Sequence, residues 1–192
     1  MTLSTRKWTR SEYEKMAQVG LLAEDERVEL IHGEIVDMSP IDPLHASGVD
    51  RANMLLTSNY GATHVVRVQN PVDVGDASQP QPDVVLISAA LARDLTRQRR
   101  HPSSVELILE VANTSLAYDR LQKGSLYASA GFSPYWIVNL PDDVLEVYTD
   151  PRPDSAAPHG WRYSCLRTLG RGRTVDFAGR TLSVDDLLLP VD

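Results

Sequence analysis

Val105-Glu106-Leu107-Ile108-Leu109-Glu110-Val111 is a short apolar run of strand length, and Gln81-Pro82-Asp83-Val84-Val85-Leu86-Ile87 is a second one upstream of it. Asp83 stands at the mouth of its run and Glu110 near the end of the other, which also carries Glu106 at its start. Burying a carboxylate in or beside a core strand costs several kcal/mol unless a cation, a metal or hydrogen bonds compensate it. Neighbouring strands lie about 5 Å apart, so two such groups can converge on one ion. Lys123 follows on the next helical stretch. A divalent metal with a lysine beside it stabilises the charge that builds on a phosphodiester attacked by water, and the pattern therefore points to metal-dependent nucleic-acid cleavage.

Working outward, Thr9 to Gly20 reads as a short capped helix, with Tyr13, Met16, Ala17 and Val19 on one stripe. Val28, Leu30 and Ile31 lead through a His32-Gly33 turn into an alternating strand at 34–38. Val49, Ala52, Leu55 and Leu56 recur at helical steps between His45 and Tyr60, and Gly61 ends the segment. The β-branched run at 65–69 reads as a strand, extended after a break by 71–74, before the Asp83 strand. After Glu110, Asn113-Thr114-Ser115 caps a helix predicted to run to about Ala130, with Leu116, Leu121, Leu126 and Tyr127 as its buried side. Two strands at 135–140 and 144–148 form a hairpin, 150–160 reads as an exposed loop, and one or two more strands precede a short final segment near 185–189. The order of elements predicts an α/β single domain over residues 1–192, a mixed sheet flanked by helices.

The 192 residues are 42% apolar, enough for one domain with its own core. No stretch approaches the ~18 apolar residues of a membrane span, and the amino terminus lacks the apolar segment of an export signal, so a soluble, cytoplasmic protein without membrane contact is expected. The single Cys165 can form neither an internal disulfide nor a thiolate zinc cage, and is expected to be a small core residue. A net charge of -7 argues against broad electrostatic binding to a polyanion. One stretch runs the other way: Arg93, Arg97, Arg99 and Arg100, followed by His101, which on its own reads as a solvated helix end and loop. The five histidines show no close ligand spacing, no serine sits in a Gly-x-Ser-x-Gly elbow, and Gly170-Arg171-Gly172 is too short for a phosphate loop. Zinc enzymes, serine hydrolases and nucleotide-binding ATPases are disfavoured.

Asp119, Lys123 and Tyr127 are four residues apart and share a helix face, which either turns to the carboxylates or carries a plain surface ion pair. In order along the chain, the segments at 26–35, Gln81-Pro82-Asp83, Leu109-Glu110-Val111 and Ser115-Leu116-Ala117-Tyr118-Asp119-Arg120 with Lys123 resemble the Uma-two family, assigned as restriction endonucleases within the PD-(D/E)xK nuclease superfamily. The resemblance spans roughly Arg27 to Asp150 and implies a restriction-endonuclease-like fold. It implies that Asp83 and Glu110 are catalytic metal ligands, that Glu29 adds a carboxylate from the amino-terminal helix, and that His45 assists at the metal. It also implies that Lys123 replaces the superfamily lysine, since that position is Ala112 here. Mg²⁺, with Mn²⁺ as substitute, suits an oxygen-ligand site that keeps waters. The implied partner is DNA, and cutting two strands implies a homodimer. Asn139 and Asn113 depart from the family pattern and put the surroundings of the site in question. The alternative is a non-catalytic DNA-binding or regulatory protein that retains the nuclease scaffold.

Overall fold

The run quoted first becomes β5 (Leu107–Ala112), which is buried at every position. An unbroken apolar strand needs both faces covered, and this chain covers them with different elements. The computed structural model describes residues 5–23 and 25–190; residues 1–4, part of the segment read for an export signal, lie outside the described residues. β5 sits in a six-stranded sheet of order β3 (His64–Val68), β4 (Val84–Ser88), β5, β6 (Tyr135–Asn139), β7 (Val144–Pro153), β8 (Trp161–Leu169). Neighbours are antiparallel except β5 and β6, whose parallel pairing requires the helical crossover between them.

On one face α2 (Pro43–Tyr60) packs Val49, Ala52, Leu56 and Tyr60 against Leu86, Leu107, Leu109 and Val111. The small hairpin β9 (Thr174–Phe177) and β10 (Arg180–Ser183), followed by Leu187 and Leu188, extends that cluster. On the other face Leu95 of α3 (Ala89–Gln98) and Leu126 and Tyr127 of α5 (Gly124–Ser129) pack against Val85, Ile87 and Ile108. Side chains alternate along a strand, so Glu110 shares this second face with Ile108 and Ala112, and Asp83 shares it with Val85 and Ile87. The amino-terminal helix α1 (Arg10–Gln18) begins with a Thr9/Glu12 capping box. The hairpin β1 (Val28–Ile31) and β2 (Glu34–Asp37) turns at His32-Gly33. Among the described residues, no helix is long and apolar enough to cross a membrane.

Gly48 allows α2 to approach β5 closely: a Cβ there would stand 2.6 Å from Val111 Cγ1. Gly48→Ala is therefore expected to lower stability by about 1–3 kcal/mol, as overpacking does. Chemical denaturation, with an unchanged slope and a lower midpoint, checks this.

Several expectations are corrected. Residues 71–74 form no strand, because Pro71 has no N–H to donate and Val72 and Asp73 donate instead to the loop carbonyls of Pro80 and Pro102. The helix after Ser115 is not continuous: α4 (Leu116–Tyr118) passes into a π-helical turn (Asp119–Lys123) before α5. Asp119, Lys123 and Tyr127 take its inward face, which leaves Leu121 62% exposed. β7 runs on to Pro153, into the predicted loop, and pairs with β8. Cys165 is exposed, since β8 is the edge strand.

Candidate active site

Asp83 stands immediately before β4, opposite the end of β5, and the two carboxylates are braced by each other's backbone. Asp83 N–H donates to Glu110 Oε2 at 3.1 Å, and Val111 N–H donates to Asp83 Oδ2 at 2.9 Å. Both side chains are buried on one face of the sheet. Ordinary strand pairing thus places two acids side by side.

Four other elements close on this pair. α2 starts where Asp42 caps the N–H groups of Leu44 and His45, and that start aims His45 Nε2 at Asp83 Oδ1, 3.0 Å away. Glu29 is buried on β1, not on the amino-terminal helix as the resemblance implied, because the tight His32-Gly33 turn makes 28–37 a hairpin. Its Oε2 accepts the Gln81 N–H at 3.1 Å. The π-helical turn supplies Lys123, whose Nζ lies 3.0 Å from Glu110 Oε1 and 3.9 Å from Glu29 Oε2. Tyr127 donates its hydroxyl to the same Glu110 oxygen at 2.7 Å.

Asp119, one turn before Lys123, is a carboxylate that sequence reasoning did not assign to the site. It is 3% exposed, accepts from Ser115 Oγ at 2.6 Å, and lines the same cavity of about 390 Å³ as Glu29, His45, Asp83, Glu110 and Lys123. Its four-residue spacing from Lys123 was the available signal. The surface-pair reading of Asp119 and Lys123 is overturned: both are buried, and Lys123 pairs with Glu110. Behind the turn, Arg120 donates to both oxygens of Glu146 on β7, which also accept from Asn139 at 2.7 Å and Tyr148 at 2.6 Å. Asn139 therefore anchors that outer network, whereas Asn113 lines the cavity and donates to Asp42.

The electrostatics are lopsided. Four buried carboxylates, Glu29, Asp83, Glu110 and Asp119, face one buried ammonium and the His45 imidazole, while Arg27, Asp37 and Asp42 line the less buried part of the cavity. Burial pushes Glu110 well above the usual carboxylate range, and Asp83 and Asp119 push it further, against the pull of Lys123. Burial likewise raises Asp119 to about 6. Burial works to raise Asp83 too, but the His45 hydrogen bond, the His45 and Lys123 charges and the Val111 N–H outweigh it and hold Asp83 low. Burial opposes charge on Lys123, yet the surrounding carboxylates keep its ammonium well above the ordinary lysine range. Because Glu110 accepts from three donors, we read the pair as ionised, with burial setting how unfavourable that charge is.

A divalent cation fits this donor set by chemistry: hard oxygen ligands, buried, with more negative than positive charge. Among the described residues, however, no three His, Cys, Asp or Glu side chains stand arranged to hold an ion, and Lys123 occupies the space between the acids. The raised Asp119 and Glu110 give a sign to test. A carboxyl raised in the folded state loses stability as pH climbs from its unfolded value through its folded one, so without metal Asp119 weakens the fold between about pH 4 and 6. A cation relieves that repulsion. The rise in Tm on adding Mg²⁺ is expected to be larger at pH 8 than at pH 5, and calorimetric melts at the two pH values measure it.

A mixed sheet with two acids at one end, a lysine on one of them and helices on both faces defines the restriction-endonuclease-like class. The chain is similar to a crystal structure described as a "putative nuclease belonging to DUF820" from Anabaena variabilis, with a TM-score of 0.66 at 13% identity, over 93% of this chain and 96% of that one. A family model described as "Putative restriction endonuclease", Uma2, matches residues 10–178, and the chain belongs to that family. No curated protein matches it.

Proposed function

We propose that this protein is a Mg²⁺-dependent endonuclease that hydrolyses phosphodiester bonds of DNA. The observation that carries the reading is the burial of four carboxylates around one ammonium in a single cavity. Asp83 and Glu110, with Glu29 and Asp119 nearby, would hold the cation, which supplies Lewis-acid stabilisation of negative charge on the phosphoryl oxygens and on the water. His45 fixes the Asp83 carboxylate through its Nε2 contact. Tyr127 and the Asp83 N–H fix Glu110 in the same way. Lys123 places a positive charge where the attacking water would lose its proton and negative charge would build on the phosphoryl oxygens. Water oxygen forms the new bond to phosphorus, the ester bond to the leaving oxygen breaks, and a proton returns to that oxygen.

The non-catalytic, DNA-binding alternative draws support from the Lys123–Glu110 contact, which closes the site on itself. Metal titration by calorimetry, alongside cleavage of plasmid and single-stranded DNA, separates the two readings. Cleavage is expected with Mg²⁺ or Mn²⁺, and Ca²⁺ is expected to bind without supporting turnover. Wild-type protein that binds no divalent metal overturns the mechanism, and metal binding without cleavage favours the alternative. A homodimer is the arrangement we expect on duplex DNA, checked by sedimentation with and without a duplex.

A further inference from the structure

The basic run 93–101 lies outside the site described so far, and its end, Arg99 to His101, lines a second cleft. That cleft, about 460 Å³, is lined by Arg10, Asp73, Gln81, Arg99, Arg100 and His101 among others. α3 follows β4 directly and packs Leu95 against Val85 and Ile87, on the face that carries Asp83 and Glu110. The loop after α3 is tied in by the Asp73 N–H, which donates to Pro102 O at 2.8 Å.

Gln81 is the partition between the two cavities. It lines the basic cleft, its side chain donates to Val28 O at 3.0 Å, and its N–H donates to Glu29 in the carboxylate pocket. It precedes Asp83 by two residues, a span of roughly 7 Å at most in extended chain.

The acids of this cleft are already matched. Asp73 is met by Arg10 at 3.1 Å and Gln79 at 3.0 Å, and Gln79 also donates to Glu14 at 2.9 Å. Arg99 and Arg100 are exposed, and among the described residues neither makes a salt bridge, whereas their neighbour Arg97 pairs with Asp94. Arg99 also holds a left-handed conformation, φ 54° and ψ 49°, at the end of α3, a place where glycine is the usual residue. A long cationic side chain is thus carried at a position whose backbone favours having none.

We propose that this cleft is a phosphate subsite in which Arg99 and Arg100, with His101 beside them, grip the phosphodiester backbone of the nucleic acid next to the carboxylate pocket, with Gln81 common to both sites. It rests on the nuclease reading and explains how a chain of net charge -7 holds a polyanion: the positive charge is concentrated beside the acids rather than spread over the surface. These contacts read backbone and not base sequence.

The test is fluorescence anisotropy with a labelled duplex oligonucleotide in Ca²⁺ across a salt series, for the full chain and two double variants. Arg99→Gly with Arg100→Ala removes both guanidinium groups, and glycine relieves the left-handed backbone, so the helix end is retained. Arg152→Ala with Arg162→Ala removes the same charge from exposed positions on β7 and β8. The first variant is expected to bind at least about tenfold more weakly, with the slope of log affinity against log salt reduced by about 1.8, whereas the second stays near wild type. Equal losses in both variants, or none in the first, overturn the subsite. Wild-type protein that binds no oligonucleotide overturns both the subsite and the nuclease reading, whereas binding that depends on Arg99 and Arg100 without cleavage in Mg²⁺ or Mn²⁺ supports the subsite and overturns the nuclease reading alone.

Discussion

Asp83→Ala is expected to abolish divalent-metal binding and to reduce DNA cleavage by at least about a thousandfold, the scale of losing several kcal/mol of charge stabilisation. Asp83 is the hub of the carboxylate pocket: it accepts from His45 Nε2 at 3.0 Å and from the Val111 N–H at 2.9 Å, and its own N–H orients Glu110. Truncation leaves the buried Val111 N–H unpaired and frees His45, costing about 1–3 kcal/mol of stability as well. Asp83→Asn separates the two effects, because an amide oxygen still accepts from Val111 while the negative charge is gone. Calorimetry with Mn²⁺ and a thermal melt of both variants distinguish lost charge from lost structure. Metal affinity unchanged in Asp83→Asn would remove Asp83 from the ligand set.

Lys123→Ala is expected to keep metal binding and lose cleavage by about 10²–10³-fold, as removal of a group aimed at transition-state charge does. Its second consequence appears without metal. Lys123 is the buried ammonium facing Glu29, Asp83, Glu110 and Asp119, and removing one partner of a buried ion pair destabilises by about 3–5 kcal/mol. The variant should therefore melt well below wild type in chelator and recover much of the difference in Mg²⁺. A melting temperature insensitive to Mg²⁺ would show that the cation does not take over the role of the ammonium.

The strands carrying Asp83 and Glu110 were legible because an apolar run of strand length is a local signal, and so was the cap that starts α1. α2 was legible from its apolar spacing, although it begins at Pro43 under the Asp42 cap, two residues before His45. Leu121 misled because a helical stripe of leucines normally marks the buried side; here two charged residues and a tyrosine took that side. Glu29 lies on β1 rather than on the helix the resemblance implies, because the His32-Gly33 turn pairs it with Val36. No local pattern distinguishes an acid that faces solvent from one whose charge is met by a side chain far along the chain.

The amino-acid sequence by itself determined the α/β class, the two acid-bearing strands and the lysine that follows them, since periodicity and strand propensity act over a few residues. Tertiary structure decided that Asp119 lies in the pocket, that Lys123 rests on Glu110 and that Arg99 and Arg100 line a second cleft, where among the described residues neither makes a salt bridge. The reason is physical: whether a polar side chain can be buried depends on the charges brought to it by distant segments, and only folding brings them there.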